Sequence, residues 1–166
     1  MRSLKTERLE LLPLTPSELK MWIEDLPKLE KTLDCIYRAE PLKGFFLEIL
    51  KGQLAIAQQD TEHFLWHSFW LLIRKSDRIV VGSADFKDMP NANGEVEIGY
   101  GLGKEFEHHG YMTEAVKAMC DWAKTQKSVH AILAETELDG FASQRILQRC
   151  GFKEEKRAAT IWWRLT

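Results

Sequence analysis

The pattern of apolar and polar residues divides the chain into a helical N-terminal part and a longer part that is rich in strands. It predicts a leucine-rich strand at 8–14 and helices at 16–22, 26–36 and 45–54, in which apolar residues recur at helical spacing. The first helix also has a start signal. Thr15 can cap it, Pro16 suits its first position, and Glu18 can return a hydrogen bond to the cap.

Further along the chain the pattern changes to short apolar runs that are bounded by turn residues. The predicted elements are strands at 69–73, 79–86 and 95–102, a loop at 104–112, a helix at 113–124, a strand at 131–136, a helix at 142–149, a strand beginning at Phe152 and a last strand at 160–165. A turn is predicted at 90–94. This order predicts an α/β fold, with a mixed and mostly antiparallel central sheet and helices on both faces.

Length and composition narrow the class of protein. With 166 residues the chain is expected to form one domain, 1–166, that buries a core of its own. The formal net charge of −2 argues against a nucleic-acid partner, which usually requires a basic face. No apolar run would span a bilayer, and no signal peptide is recognisable, so no membrane partner is expected. The three widely spaced cysteines indicate reduced thiols in the cytoplasm, and neither they nor the histidines have metal-ligand spacing.

The segment from Glu97 to Ala115 combines a strand, a loop that contains glycine and the start of a helix. The first N–H groups of a helix have no partners inside it, and the helix dipole adds positive potential there. Gly110 would allow the backbone to approach a ligand closely, and Thr113 could cap the helix or donate its hydroxyl group. The segment therefore suits a phosphate group, although one glycine alone is a weak signal.

Several short motifs gain meaning from their common order along the chain. They are Thr6-Glu7-Arg8-Leu9, Glu97-Ile98-Gly99-Tyr100, Gly110-Tyr111 followed by Thr113-Glu114-Ala115, Ser143, and Gly151-Phe152. Their order and spacing resemble the GNAT superfamily of N-acetyltransferases, in particular its ribosomal-protein N-terminal acetyltransferase-like branch, nearly from end to end. The resemblance implies a sheet whose fourth and fifth strands splay apart. It also implies direct transfer of an acetyl group from acetyl-CoA to a primary amine.

The same resemblance assigns residues to the cosubstrate, acetyl-CoA. Its pantetheine arm is expected in the gap between the splayed strands, along Ile98, Gly99, Tyr100, Gly101 and Leu102. Its pyrophosphate is expected at the following loop and helix start, at His108, His109, Gly110, Tyr111, Met112 and Thr113. No metal is expected to take part.

Two side chains are candidates for the chemistry. Glu97 is the candidate base, directly or through water, because the resemblance supports it and because it shares a strand face with Gly99. Glu95 is a weaker candidate on that face. The resemblance assigns Ser143 to protonating or orienting the sulfur of CoA. An exposed strand glutamate and an ordinary serine at a helix start are the alternative interpretations of Glu97 and Ser143. A backbone N–H of the fourth strand is expected to hold the oxyanion.

Four positions depart from the family pattern: Glu107, Met112, Gly140 and Leu147. Glu107 would oppose a phosphate if it faced one, and Leu147 stands where many relatives carry a tyrosine that acts as an acid. These departures motivate the hypothesis of a catalytically weak CoA-binding or regulatory protein. An interaction module with the same fold and no ligand is a second alternative to the transferase.

The acceptor is left open between a protein N-terminus and a small amine. The helical insertion at 16–59 and the C-terminal strand are expected to select it. Core packing is expected for most of the six tryptophans, and some of them are candidates for lining the acceptor cleft. A homodimer is compatible with the sequence, but no interface can be recognised in it.

Overall fold

The computed structural model describes residues 1–166, and its regular elements are nine strands, five α-helices and two short 3-10 helices. In chain order they are β1 (Leu4–Lys5), β2 (Leu9–Pro13), α1 (Pro16–Glu24), α2 (Leu26–Leu33), β3 (Ile36–Tyr37), α3 (Gly44–Gln59), a 3-10 helix (Thr61–Trp66), β4 (Phe69–Arg74), β5 (Ile79–Phe86), β6 (Glu95–Leu102), a 3-10 helix (Lys104–Phe106), α4 (Tyr111–Lys124), β7 (Ala131–Glu137), α5 (Phe141–Arg149), β8 (Lys153–Arg157) and β9 (Thr160–Leu165). None of the helices combines the length and the apolar character that crossing a membrane requires.

The strands form one sheet in the order β1-β2-β4-β5-β6-β7-β9-β8, and β3 adds to the beginning of β5. Neighbouring strands are antiparallel except in two places, where β3 meets β5 and where β6 meets β7. The long connection between β6 and β7 contains α4, as a parallel crossover requires. The mixed, mostly antiparallel sheet that the sequence predicts is thereby confirmed.

Helices cover both faces of this sheet, as predicted. On one face α4 and α5 pack over the larger apolar cluster, which includes Trp70, Phe86 and Met119. On the other face α1, α2 and α3 cover a smaller cluster around Trp22 and Leu50. The sheet therefore separates two cores, and a ligand that enters from one face meets different helices from a ligand that enters from the other.

The predicted start of the first helix is confirmed in detail. Thr15 Oγ1 accepts a hydrogen bond from the backbone N–H of Glu18 at 3.2 Å, and the Glu18 carboxylate accepts one from the N–H of Thr15 at 3.0 Å. Pro16 occupies the first helical position, where its missing N–H costs nothing. Arg2 donates to the same Glu18 carboxylate at 2.6 Å, which ties the N-terminus of the chain to this cap.

The second helix is shorter than predicted, and the prediction that it reaches Ile36 is wrong. It ends at Leu33, and Asp34 follows in the left-handed conformation with a φ of 51°. The guanidinium of Arg78 explains this end because it donates to the backbone oxygens of Leu33 and Asp34 at 2.9 and 3.1 Å. Ile36 then pairs with Ile79 as part of β3.

The fourth helix begins two residues earlier than predicted, at Tyr111 instead of Thr113. Gly110 precedes it with a φ of 78°, a conformation that costs glycine little and other residues more. The side chains of Tyr111 and Met112 are buried and anchor the first turn to the core. The predicted loop is correspondingly shorter, and part of it forms the 3-10 helix at Lys104–Phe106.

Candidate functional site

β6 and β7 separate after only three residue pairs. Glu95, Val96 and Glu97 pair with residues 131–133 of β7, whereas the remainder of β6 pairs only with β5. β7 continues along β9 instead. The backbone at 98–102 therefore has one free side, where an elongated ligand can bond to strand N–H and C=O groups. The splayed pair of strands that the resemblance implies is present.

Two hydroxyl groups meet where the strands have parted. The phenolic oxygen of Tyr100 in β6 lies 2.6 Å from Oγ of Ser143 in the first turn of α5. Burial raises the pKa of Tyr100 to about 12, so the phenol keeps its proton at neutral pH. The pair therefore provides a hydroxyl proton donor beside the free side of β6.

A cleft of about 510 Å³ borders this pair of hydroxyls, between the loop and first turn of α4 on one side and α5 on the other. Nine of the predicted site residues line it: Tyr100, Gly101, Leu102, His108, Gly110, Tyr111, Met112, Thr113 and Ser143. The side chain of Ile98 lies in the core instead, and Gly99 borders a different cavity. His109 does not line the cleft either, and its carbonyl oxygen accepts a hydrogen bond from Arg8.

The far end of the cleft combines a helix N-terminus with two arginines that the sequence analysis missed. Arg145 and Arg149 line the cleft from α5, one helical turn apart, and neither forms an ion pair with a carboxylate of the chain. Gly110 leads into the first turn of α4, whose first N–H groups have no partners within the helix, and this turn lines the same cleft. Glu107 also lines the cleft. The positive charge of the two arginines and of the helix N-terminus exceeds the negative charge of this one carboxylate, so this end of the cleft suits a phosphate group.

The N-terminal motif braces this end of the cleft. Glu114 of α4 accepts hydrogen bonds from Thr6 Oγ1 at 2.5 Å and from Arg8 Nε at 2.9 Å. Arg8 also donates to the carbonyl oxygen of His109 at 2.9 Å, and its guanidinium lies 4.4 Å from the centre of the Tyr111 ring. These contacts hold the loop and the first turn of α4 in one conformation, which explains physically why the opening motif belongs to the site.

A second cavity, of about 620 Å³, lies on the opposite face of the sheet, beneath the helical insertion. Its walls come from α3, β4, β5 and β6, and its lining includes Phe45, Phe46, Phe69, Asp85 and Gly99. Neither this cavity nor the cleft is lined by a tryptophan. Tyr100 and Gly101 of β6 border both spaces. The same two residues thus separate the two cavities.

Asp85 is a third residue that sequence reasoning missed. It lies in β5 and is only 7% exposed. Burial raises the pKa of Asp85 to about 7, with Lys87 lowering it and Glu97 raising it. A carboxyl group that titrates near neutral pH can exchange a proton with a ligand in the cavity. The available signal was a single charged residue inside an otherwise uncharged strand.

Glu97 points to the face of the sheet that carries this second cavity but does not line it. Its carboxylate forms an ion pair with Lys87 at 3.1 Å. Glu95, the weaker candidate, forms an ion pair with Arg164, which lowers the pKa of Glu95. Both glutamates are therefore neutralised by neighbouring cations at the point where β6 and β7 part.

Three of the four positions that depart from the family pattern have structural explanations. Met112 is 2% exposed and Leu147 is completely buried, so both side chains belong to the core beside the cleft. Gly140 caps α5 close to the carbonyl oxygen of Glu137.

His63 and His67, which lie outside the cleft, both bond to Asp60 at 2.9 Å. The structure contains no group of three or more side chains arranged to hold a metal ion.

Comparisons with known proteins agree with this geometry. Residues 8–153 match the model of the acetyltransferase (GNAT) domain. The chain is 34% identical over 83 residues to the uncharacterized N-acetyltransferase YjdG of Bacillus subtilis, over 50% of this chain and 49% of that protein. It spans about half the length of the curated relatives it matches.

Solved structures extend the similarity of fold to nearly the whole chain. The ribosomal-protein-S5-alanine acetyltransferase of Vibrio fischeri superposes with a TM-score of 0.71 at 20% identity, over 98% of this chain and 95% of that one. The microcin C7 self-immunity acetyltransferase MccE, solved with acetyl-CoA and AMP, gives 0.66 at 14% identity, over 96% and 93%. The domain match, the splayed strands and the order of the motifs together show that this chain belongs to the GNAT acetyltransferase family.

Proposed function

We propose that this chain transfers an acetyl group from acetyl-CoA directly to a primary amine. The observation that carries the proposal is the position of Tyr100 and Gly101, which border both the cleft and the second cavity. A donor held in the cleft and an acceptor held in the cavity would meet at this point of β6. Holding two reactants side by side in this way supplies a large part of the rate enhancement.

The residues of the cleft suit acetyl-CoA along its whole length. The free side of 98–102 would pair with the amide groups of the pantetheine arm. The N–H groups that follow Gly110, together with Thr113, would bind the pyrophosphate. Arg145 and Arg149 would neutralise further phosphate charge. MccE, which shares this fold, was solved in complex with acetyl-CoA, and that complex supports the same cosubstrate here.

Ser143 is the proposed donor to the departing sulfur. The reaction forms a nitrogen–carbon bond, breaks the carbon–sulfur bond and leaves a thiolate that requires a proton. Ser143 faces the cleft, and its hydroxyl bonds to that of Tyr100, which stays protonated at neutral pH. Leu147 is completely buried and has no proton to give, so the hydroxyl pair takes the role that many relatives assign to that position.

Direct transfer is favoured over an acetylated cysteine. Burial raises the pKa of the thiols of Cys35 and Cys150 to about 11 and raises that of Cys120 as well. A thiol nucleophile reacts as its thiolate, which burial suppresses at all three positions. We propose instead that the amine attacks acetyl-CoA directly, after carboxylates on the acceptor side have taken its proton. Glu97 contributes there as a base through water or through its charge beside Asp85.

Replacing Ser143 with alanine tests this proposal. The variant is expected to keep its affinity for acetyl-CoA. Its kcat is expected to fall about tenfold, which is less than a general acid usually contributes, because a thiolate is a good leaving group that needs little protonation. The measurement is amine-dependent release of CoA thiol, with both substrates varied. Direct transfer predicts intersecting initial-rate lines. Parallel lines would indicate an acetylated enzyme, and an unchanged kcat in Ser143→Ala would remove Ser143 from the mechanism.

A further inference from the structure

The floor of the second cavity carries two carboxylates above two glycines of one strand. A Cβ atom built on Gly99 would lie 2.9 Å from Asp85 Oδ1, and one built on Gly101 would lie 3.0 Å from Glu40 Oε1. Alternate residues of a strand face the same side, so both carboxylates lie on one face of β6 with the backbone of Tyr100 between them. The absence of side chains at the two glycines leaves room for both carboxylates.

Asp85 is the unusual member of this floor. Its side chain is more than nine-tenths buried and lines the cavity, yet it accepts no hydrogen bond from the chain. The nearby cation, Lys87, pairs with Glu97 instead. Burying an unpaired carboxylate is costly, and an ammonium group from a ligand would supply both the charge and the hydrogen bonds that it lacks.

The walls above this floor are apolar and largely aromatic. Phe46 and Phe69 meet edge to face, with their ring centres 6.0 Å apart. Phe45 and Ile49 continue the apolar surface to the opening, where they are 81% and 39% exposed. The backbone of α3 is occupied by its own helix, so an extended peptide would bury N–H and C=O groups without partners along this wall.

We propose that the acceptor is a small primary amine with an aromatic body, whose ammonium group binds between Asp85 and Glu40 and whose ring packs against the phenylalanines of α3 and β4. This inference rests on the proposed acetyl transfer and specifies its acceptor. Asp85 takes one proton from the ammonium nitrogen, which then forms the amide bond as the carbon–sulfur bond breaks. The nitrogen loses its second proton to solvent, Ser143 gives its hydroxyl proton to the thiolate, and Ser143 then takes a proton back from solvent.

The charged groups around Asp85 define the expected pH profile. Glu97 acts on it from β6 and Lys87 from the residue that follows β5, and Glu40 and Lys43 face the same cavity from the segment before α3. A base acts in its deprotonated form, so kcat/KM for the amine is expected to rise as the pH passes through about 7.

Asp85→Asn is expected to lower kcat/KM for the amine about a hundredfold and to abolish this rise with pH. Glu40→Gln is expected to raise KM severalfold with little change in kcat.

The acceptor class is tested by amine-dependent thiol release with phenethylamine, ethanolamine and a tripeptide that begins with alanine. Phenethylamine is expected to give a kcat/KM at least tenfold above that of either alternative. Phe45→Ser is expected to reduce this preference severalfold, through a lower kcat/KM with phenethylamine. Ile56→Ser is the matched control, because Ile56 is an exposed apolar residue of the same helix that does not line the cavity.

The outcomes separate this inference from the function on which it rests. A higher kcat/KM with the tripeptide or with ethanolamine would overturn the aromatic acceptor and leave the acetyltransferase in place. Thiol release from no amine, together with no stabilisation by acetyl-CoA, would overturn both. Stabilisation of Asp85→Asn and Glu40→Gln by acetyl-CoA would show that each variant is folded, and a loss of activity would then reflect the acceptor site. An undiminished kcat/KM in Asp85→Asn would overturn the role of Asp85.

Discussion

Replacing Gly110 with valine is expected to weaken the binding of acetyl-CoA about a hundredfold. Gly110 has a φ of 78°, and a branched side chain in that region costs about 1–3 kcal/mol, so the loop would refold away from the conformation that the ligand requires. The new side chain would also stand in the cleft, beside Arg8, whose Nη2 lies 3.4 Å from a Cβ built on Gly110. Titration calorimetry with acetyl-CoA measures the loss.

Gly151→Val is the matched control for this substitution. Gly151 also has a positive φ, of 91°, and a Cβ there would lie in ordinary contact with Leu165, outside the cleft. The control is expected to lose stability to a similar extent and to bind acetyl-CoA as the original chain does. Equal affinities for acetyl-CoA in both valine variants would show that the loop at Gly110 does not hold the cosubstrate.

Replacing Trp70 with alanine is expected to lower the stability of the chain more than any other substitution named above. Trp70 is fully buried in the larger core, where its ring lies 5.2 Å from that of Trp122 and 6.1 Å from that of Phe86. Its indole N–H donates to the carbonyl oxygen of Leu65 at 3.1 Å. A cavity of this size costs about 3–5 kcal/mol, so the midpoint of thermal unfolding is expected to fall by roughly 6–20 °C.

Phe141→Ala provides the comparison for Trp70→Ala. Phe141 is also aromatic but is 59% exposed at the start of α5, so its truncation leaves no cavity in the core. Its midpoint is expected to remain within about 2 °C of that of the original chain, since surface substitutions usually change stability by less than about 0.5 kcal/mol. Similar midpoints for the two variants would contradict the assignment of the core.

The regular elements could be predicted from the sequence because burying one face of a strand or helix imposes a period on the apolar residues. The predicted bounds of two helices were wrong because residues distant in sequence determine where those helices begin or end. α2 stops at Leu33 because Arg78, which lies 45 residues further along the chain, binds its last carbonyl group. The early start of α4 depends on the burial of Tyr111 and Met112, which the local pattern does not reveal.

The residues of the proposed cosubstrate cleft were named from the sequence more completely than those of the proposed acceptor cavity, and the difference has a physical cause. A phosphate site at a helix start is local in sequence, and nine of the predicted residues line the cleft. The acceptor cavity arises where β5, β6 and α3 converge, so Asp85 and Glu40 acquire their neighbours only through folding. The roles assigned to Glu97 and Ser143 through the resemblance remain predictions that the variants above test.

Thermal unfolding with and without acetyl-CoA tests directly whether the cleft lined by β6, α4 and α5 holds this cosubstrate. At a hundred times its dissociation constant, acetyl-CoA is expected to stabilise the chain by about 2.7 kcal/mol, which raises the midpoint by roughly 5–11 °C. NADH and ATP at the same concentration are expected to raise it much less. No shift with millimolar acetyl-CoA, or an equal shift with all three ligands, would contradict this role of the cleft.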